Sequence, residues 1–326
     1  MQTFEYANPK SLKDAASLLA SNQWGQAEVL AGGTDLISMM KEELATPKRL
    51  VNIKNIAELG GIKKSGGAIH IGAAATLDDL ASNSDVRSAY PSLVQAVLGI
   101  TSPQMRNMGT VGGDLCQRPR CWYFRGGFGL LAMQDGKSLV PNGENRYHAI
   151  FGGGPAYFVS PSSLGPALVA LGAKIKLVSS TGAREVDAAK FFMSPQSADV
   201  REVDLKPTEI LSEIIIPASK VHNATYEVRH KDALDWPLVT ASVALTMSGS
   251  KVNSAKIVLG HVAPTPWVAA KAEAAIAGKS INEETAEAAG NAAADGAQPL
   301  SQNDYKVQLV KVAVKRALLA AAATKA

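Results

Sequence analysis

The chain has 326 residues, 46% of them apolar and 6% aromatic, with 33 Lys and Arg against 29 Asp and Glu and a net charge of +4. That balance describes a folded protein with material for two or three domains and excludes a disordered or fibrous chain. Its basic residues are scattered and form no dense block, which excludes nucleic acid as a partner class.

From the N-terminus, MQTFEYANPKSL holds no basic stretch followed by an apolar core, and no run of about 18 apolar residues follows anywhere. Neither a signal peptide nor a membrane span is expected. Ser11-Leu-Lys-Asp14 reads as a capping box opening a helix that runs through Ala20. Ala27–Ala31 reads as a strand stopped by Gly32-Gly33, and Asp35–Leu44 as a helix. Strands follow at Arg49–Lys54 and, after the turn Ser65-Gly66-Gly67, at Ala68–Gly72. Helical spacing returns at Leu77–Ala81 and Leu93–Ile100, before a second glycine turn within Gln104–Leu115.

Residues 116–154 show no clear period and read as one long loop, a length that usually signals function. A helix is expected at Leu164–Leu171, a strand at Lys174–Val178, a turn at Ser180–Gly182 and a strand at Glu209–Pro217. Beyond a boundary near 220, three strands (Ala224–Arg229, Leu238–Met247, Ala255–His261) precede three Ala-rich helices at 266–277, 282–293 and 303–323. Lys311, Lys315 and Arg316 make the last helix amphipathic, so it should pack on its own domain. The expected fold class is α+β: a domain at 1–220, with subdomains of about 1–60 and 60–220, and a smaller domain at 221–326 with a three-stranded sheet and helices.

Two short strings carry the chemistry. Gly32-Gly33-Thr34-Asp35 and Thr110-Val-Gly112-Gly113-Asp114 stand about eighty residues apart, each between apolar residues. Glycine lets backbone N–H groups approach a phosphate, a helix start adds partial positive charge, and a Thr hydroxyl supplies a further donor. Either string alone reads first as a tight turn, since GGT and GGD are common; together they suit a clasp around one pyrophosphate. Neither is a GxGxxG fingerprint or a GxxxxGK[ST] loop, and no GxSxG elbow or HxxxH pair occurs. The five histidines, His70, His148, His222, His230 and His261, are scattered and read as surface or strand-edge residues. No catalytic side chains and no metal ligands stand out, which points to a bound cofactor as the source of chemistry. Cys116 and Cys121 are too few for a disulfide framework and suit a reducing compartment.

The ordered series Leu30–Leu36, Ile71–Leu77, Arg106–Leu115 and Leu171-Gly-Ala173 resembles the FAD-binding medium subunit of molybdenum hydroxylases, the carbon monoxide dehydrogenase, xanthine dehydrogenase and aldehyde oxidoreductase enzymes. The resemblance covers essentially the whole chain. It implies an FAD-binding domain followed by the family's C-terminal domain. FAD would be held by Ala31, Gly32, Gly33, Thr34, Asp35 and Leu36 from the first motif and by Thr110, Gly112, Gly113 and Asp114 from the second. Backbone amides would be the main donors, with Thr34 and Thr110 as the side-chain contacts. Many relatives carry Pro-Ser-Asp where this chain has Pro161-Ser162-Ser163, so Ser163 would keep a hydroxyl contact and lose a charge. The implied function is electron transfer, from the 2Fe-2S clusters of a small subunit, beside a large molybdenum-cofactor subunit, to an external acceptor. A heterotrimer or its dimer is expected, in the cytoplasm or exported with a signal-bearing partner.

The segment Cys116–Arg125, with Gly143–Ile150 later, looks most like the aldehyde oxidoreductase subgroup, whose long loop holds an additional 4Fe-4S cluster. Such a cluster needs four thiolates. This chain has two cysteines, with Leu131, Leu139 and Ala156 around the places where others would stand, so no 4Fe-4S cluster is expected. The flanking Arg118, Arg120 and Arg125 would activate the thiols only if these were exposed; packed thiols are expected, with Trp122, Tyr123 and Phe124 as loop core or subunit contact. The alternative function is a non-redox scaffold of the same fold with weakened FAD binding. A free-standing FAD oxidase would need a substrate pocket with its own acid and base, which the sequence does not show.

Overall fold

The computed structural model describes residues 1–19 and 21–324. The expected helix end at Ala20 and the last two residues of the expected second domain lie outside the described residues.

The first layer is β1 (Glu5–Ala7), α1 (Leu12–Leu18), β2 (Ala27–Leu30), α2 (Leu36–Lys41) and β3 (Arg49–Asn52). The three strands are parallel in the order β1-β3-β2, because each connection crosses over through a helix. Ser11 caps α1 by accepting from the Asp14 N–H. Ala15, Ala16 and Leu19 pack on Val51 and Ile53. Helix α2 is shorter than its apolar spacing suggests: Glu43 turns left-handed at φ 57°, and the Leu44 and Ala45 N–H groups both fold back on the Met39 carbonyl.

Next come β4 (Ile62–Ser65), β5 (Ala68–Gly72), α3 (Leu77–Ser82), α4 (Ser84–Ala89), α5 (Pro91–Gly99), α6 (Pro103–Met108) and α7 (Val111–Cys116). The long loop contains α8 (Trp122–Arg125) and the small hairpin β6 (Met133–Gln134) and β7 (Lys137–Ser138), followed by α9 (Gly165–Ala170), β8 (Lys174–Ser179), β9 (Gly182–Asp187), α10 (Ala188–Phe191) and β10 (Ile210–Ile216). A five-stranded antiparallel sheet of order β4-β5-β10-β8-β9 puts the Ile-rich β10 at its centre. Ile71, Ile175, Ile214 and Ile216 face Leu80, Leu93, Leu164 and Leu168 across the main core. The edge strands β4 and β9 had no strand signal in the sequence, since an edge exposed to water needs few apolar residues.

The loop is less irregular than its sequence. Leu130, Leu131, Ala156 and Phe158 form a small dry core joined by Cys121 and Phe124. Leu131 and Ala156 thus fill apolar space beside Cys121, while Leu139 is half-buried at the end of the hairpin.

The last layer is β11 (His222–Val228), β12 (Val239–Ser248), β13 (Lys251–Gly260), β14 (Trp267–Val268), α11 (Ala270–Ile276), α12 (Glu283–Ala293) and α13 (Tyr305–Ala322). Its antiparallel sheet has four strands, not the expected three: Trp267-Val268, assigned from the sequence to the start of a helix, pairs with Leu259 and Val258 as an edge strand. Val310, Ala313, Val314, Ala317, Leu318 and Ala321 form the buried stripe of α13. No helix among the described residues is long and apolar enough to cross a membrane.

Candidate cofactor site

The two glycine motifs meet in space. A Cβ on Gly32 would coincide with the Met108 carbonyl at the end of α6, so only glycine lets the first motif lie against the backbone that leads into the second. Gly33 then turns left-handed at φ 74° and aims the chain into α2. Between the motifs lie two adjoining cavities, of about 170 Å³ and about 240 Å³, which share Thr34, Asp35, Thr110, Gly113 and Gln117 as common walls. Ala31, Gly32, Leu36 and Gly112 line the first; Asp114 and Ser163 line the second.

Among the described residues, the backbone N–H groups of Gly32, Gly33, Thr34, Asp35 and Leu36 meet no protein acceptor, and neither does the Thr34 hydroxyl. Five successive unmatched donors beside a cavity form a concave anion-binding surface. The second motif is different. It is not a turn but the first turn of α7, with Thr110 as N-cap, because the Thr side chain accepts from the Gly113 N–H at 3.1 Å. Val111 and Gly112 donate to the Ala75 and Ala73 carbonyls at 2.9 Å each, and Asp114 to the Thr110 carbonyl at 2.9 Å. A Cβ on Gly112 would stand 2.8 Å from that of Ala73, so this glycine serves close packing on the segment after β5. The second motif therefore offers a cavity the Thr110 N–H, the Thr110 hydroxyl proton and bare glycine surface, rather than a row of amides.

The two aspartates hold the walls. Asp35 accepts from the Arg118 N–H at 2.8 Å and from Arg125 at 2.8 Å, with Arg120 at 3.2 Å, and so fastens the start of the long loop to the first motif. Asp114 accepts from the Ser162 hydroxyl at 2.5 Å, the Leu164 N–H at 3.0 Å and Gln117 at 3.0 Å. Burial pushes its pKa up, and these donors oppose the rise. The Ser163 N–H lies 3.3 Å from the same carboxylate.

Several wall residues carried no sequence signal. In the first cavity Arg201 lies 4.1 Å over the Trp24 ring and 3.5 Å from Glu202, which also faces Arg118 at 2.5 Å. Glu28 lines the same wall with its pKa raised by burial and held back by Arg201 and Arg118. Two carboxylates thus balance two guanidinium groups, and Cys116 beside them is a buried thiol pushed up to about 12 by desolvation. Over the second cavity lies the turn from β11 to β12, where Arg120 stacks 4.8 Å over Trp236. Trp122 borders neither cavity, while Phe124 packs in the loop core.

Two histidines depart from the surface reading. His148 is 3% exposed with Nε2 at 3.1 Å from Cys121 Sγ, and His261 is 2% exposed with Nδ1 at 3.1 Å from Thr240 Oγ1. Burial pushes them down to about 4 and about 3, so both are neutral. Their neighbourhoods in sequence gave no hint of this, because the groups that meet the rings come from other segments, Cys121, Trp122 and Tyr123 for His148 and Thr240 for His261.

Residues 2–219 match the family model for the FAD binding domain in molybdopterin dehydrogenase, and residues 224–321 that for the CO dehydrogenase flavoprotein C-terminal domain. The chain is 31% identical over 325 residues to the carbon monoxide dehydrogenase medium chain of Hydrogenophaga pseudoflava, covering 98% of this chain and 96% of that one. It is 28% identical to the aldehyde oxidoreductase FAD-binding subunit of Escherichia coli (strain K12), covering 95% and 96%. Among solved structures it superposes on carbon monoxide dehydrogenase from Hydrogenophaga pseudoflava with a TM-score of 0.76 at 32% identity, covering 100% of this chain and 99% of that one. Quinoline 2-oxidoreductase from Pseudomonas putida 86 gives 0.76 at 28% identity, covering 98% and 97%.

Proposed function

The chain belongs to the FAD-binding subunits of the molybdenum hydroxylases, and from that membership we infer that it is the electron exit of a multi-subunit oxidoreductase. In this reading electrons arrive from the 2Fe-2S clusters of a small partner, after a large molybdenum subunit has oxidised substrate, and leave through FAD to an external acceptor. FAD supplies the ability to hold and release two electrons; the protein binds and orients it.

The observation that carries the reading is the row of five unmatched N–H groups at Gly32–Leu36, placed where the two cavities join. FAD is two ring systems linked by a pyrophosphate, and a donor row between two cavities suits that shape. Gly32 to Leu36 would donate to the pyrophosphate, with Ala31 forming the entry of the turn. Thr34 and Thr110 would add hydroxyl donors from opposite sides. Gly112 and Gly113 would leave room for the chain of the cofactor, while Asp114 and Ser163 would fix the second wall. The division at about 220, with the cofactor domain before it and the α+β domain after it, belongs to the same reading.

Purified chain should show flavin absorption bands and release stoichiometric FAD on heat denaturation, identified by chromatography. Release of AMP or FMN instead would contradict the reading. A colourless chain that cannot be reconstituted with FAD would favour the non-redox scaffold.

A further inference from the structure

Charged side chains in the interior mostly use their hydrogen bonds within the protein. Lys306 is 1% exposed and gives its protons to the carbonyls of Tyr147 at 2.9 Å, His148 at 3.2 Å and His261 at 2.9 Å. The carboxylates that line the two cavities follow the same rule, with one exception. Asp35 takes protons from Arg118, Arg120 and Arg125, and Asp114 from Ser162, Leu164 and Gln117. Glu209 accepts from Arg184 at 2.7 Å and from the Lys206 N–H at 2.9 Å, and Asp235 from the N–H groups of His230, Lys231 and Trp236 at 3.0 Å each. Glu28 is the exception. It stands on β2, half-buried in the wall of the first cavity, with the Gly25 N–H beside its carboxylate and, among the described residues, no side-chain donor within hydrogen-bond distance.

Two cations act on this carboxylate. Arg118 and Arg201 line the same cavity and attract Glu28, while Glu202 meets each of them at Nε, at 2.5 Å and 3.5 Å. Arg201 is fixed in place by the Trp24 ring 4.1 Å away. Among the described residues, the terminal guanidinium nitrogens of both arginines have no hydrogen-bond partner, so the wall offers one acceptor beside two donor forks. Such a wall complements the edge of a heteroaromatic ring on which an N–H stands next to a ring nitrogen or a carbonyl. Val29, Leu205, Ile210 and Leu211 supply apolar surface for the faces of a flat ring. A phosphate is not suited, because Glu28 and Glu202 cancel the charge of the two arginines.

We propose that Glu28, with Arg118 and Arg201, reads the hydrogen-bonding edge of whichever ring system FAD places in the first cavity. The proposal rests on the FAD reading, in which the donor row at Gly32–Leu36 holds the pyrophosphate and one ring system lies to each side. Both ring systems carry such an edge: adenine has its amino group beside a ring nitrogen, and isoalloxazine has its imide N–H between two carbonyls. Either edge gives a proton to Glu28 and accepts one from a guanidinium. A ring without that N–H would cover the Glu28 carboxylate and leave it unpaired, so the site selects by the group it would strand.

The test uses the full chain stripped of flavin, titrated with FAD and two analogues. In etheno-FAD a second ring closes the adenine edge; in N-methylimide FAD a methyl group replaces the isoalloxazine imide proton. Flavin fluorescence should show at least one analogue bound about tenfold or more weakly than FAD. Glu28→Ala should weaken FAD itself about tenfold and reduce the penalty against one analogue alone to about twofold or less, and that analogue identifies the ring in the first cavity. Glu28→Gln keeps the volume, serves if Glu28→Ala does not fold, and should weaken FAD about threefold with the same selectivity. No penalty against either analogue in the wild type, penalties that both variants leave untouched, or equal loss for FAD and both analogues would overturn the proposal. A wild-type chain that takes up no FAD would instead overturn the reading beneath it.

Discussion

Residues 32–36 and 110–114 read almost alike, Gly-Gly-Thr-Asp-Leu against Thr-Val-Gly-Gly-Asp, and both border the same two cavities. In the first, none of the five N–H groups has a protein acceptor; in the second, Val111, Gly112, Gly113 and Asp114 all donate to Ala75, Ala73 and Thr110. The glycines differ correspondingly. Gly33 supplies a left-handed turn that leaves amides bare, whereas Gly112 lets a helix start press against a neighbouring strand end. Similar composition thus serves recognition in one place and assembly in the other, and the difference lies in where the hydrogen bonds go.

The contrast is broken most severely at Gly32. Gly32→Ala puts a methyl group onto the Met108 carbonyl, where backbone must move, and should destabilise the chain by about 3 kcal/mol while abolishing FAD retention. Denaturant titration and analysis of released flavin check both effects. Wild-type behaviour in both would mean that the motifs do not meet as described.

Burial on the assembly side has its own signature. Glu227 packs behind Gly99, a wall residue of the second cavity, with both carboxyl oxygens buried and unpaired. Desolvation, with Asp114 adding to it, pushes its pKa up from 4.5 to about 7. Folding therefore favours the protonated acid: this contribution is full below about pH 4.5 and is lost as pH rises through about 7. Stability should fall by about 3 kcal/mol or less between pH 5 and 8 from this group. Glu227→Gln should flatten that slope in denaturant titrations at the two pH values; an unchanged slope would assign the dependence elsewhere.

The threonines separate the two roles most finely. Thr110→Val removes the cap of α7 and should lower stability by about 1 kcal/mol. Thr34→Val removes a hydroxyl with no protein partner and should leave the melting temperature alone while weakening FAD about fivefold. Calorimetric melting of the two apo variants should show a lowered melting temperature for Thr110→Val alone, whereas FAD titration should show weakening in both, since each loses a hydroxyl donor; equal melting temperatures would erase the distinction.

Much of this was legible in the sequence because local signals agreed with the fold. The run Ala27–Leu30 closed by Gly32-Gly33, the alternation in Ala68–Gly72 and the stripe of α13 each follow from neighbouring residues. The inequality of the two motifs was not legible, since the carbonyls of Ala73 and Ala75 that occupy the second motif belong to a distant segment. The ion pair of Arg118 with Glu202 and the donors around Asp114 likewise come together from positions far apart in the sequence. Short edge strands such as Ile62–Ser65 were missed for the opposite reason: water, not packing, covers most of their residues.

Lys306 gives the architecture a direction in time. Its ammonium closes onto the Tyr147 carbonyl, made 159 residues earlier, and onto those of His148 and His261. While a ribosome works from the N-terminus, the long loop waits for that anchor until α13 is being threaded out. Chains that end short of α13 lack Lys306 and so cannot close the Tyr147, His148 and His261 carbonyls onto one another, whereas the contacts between Gly32 and the end of α6 lie wholly within the first half of the sequence.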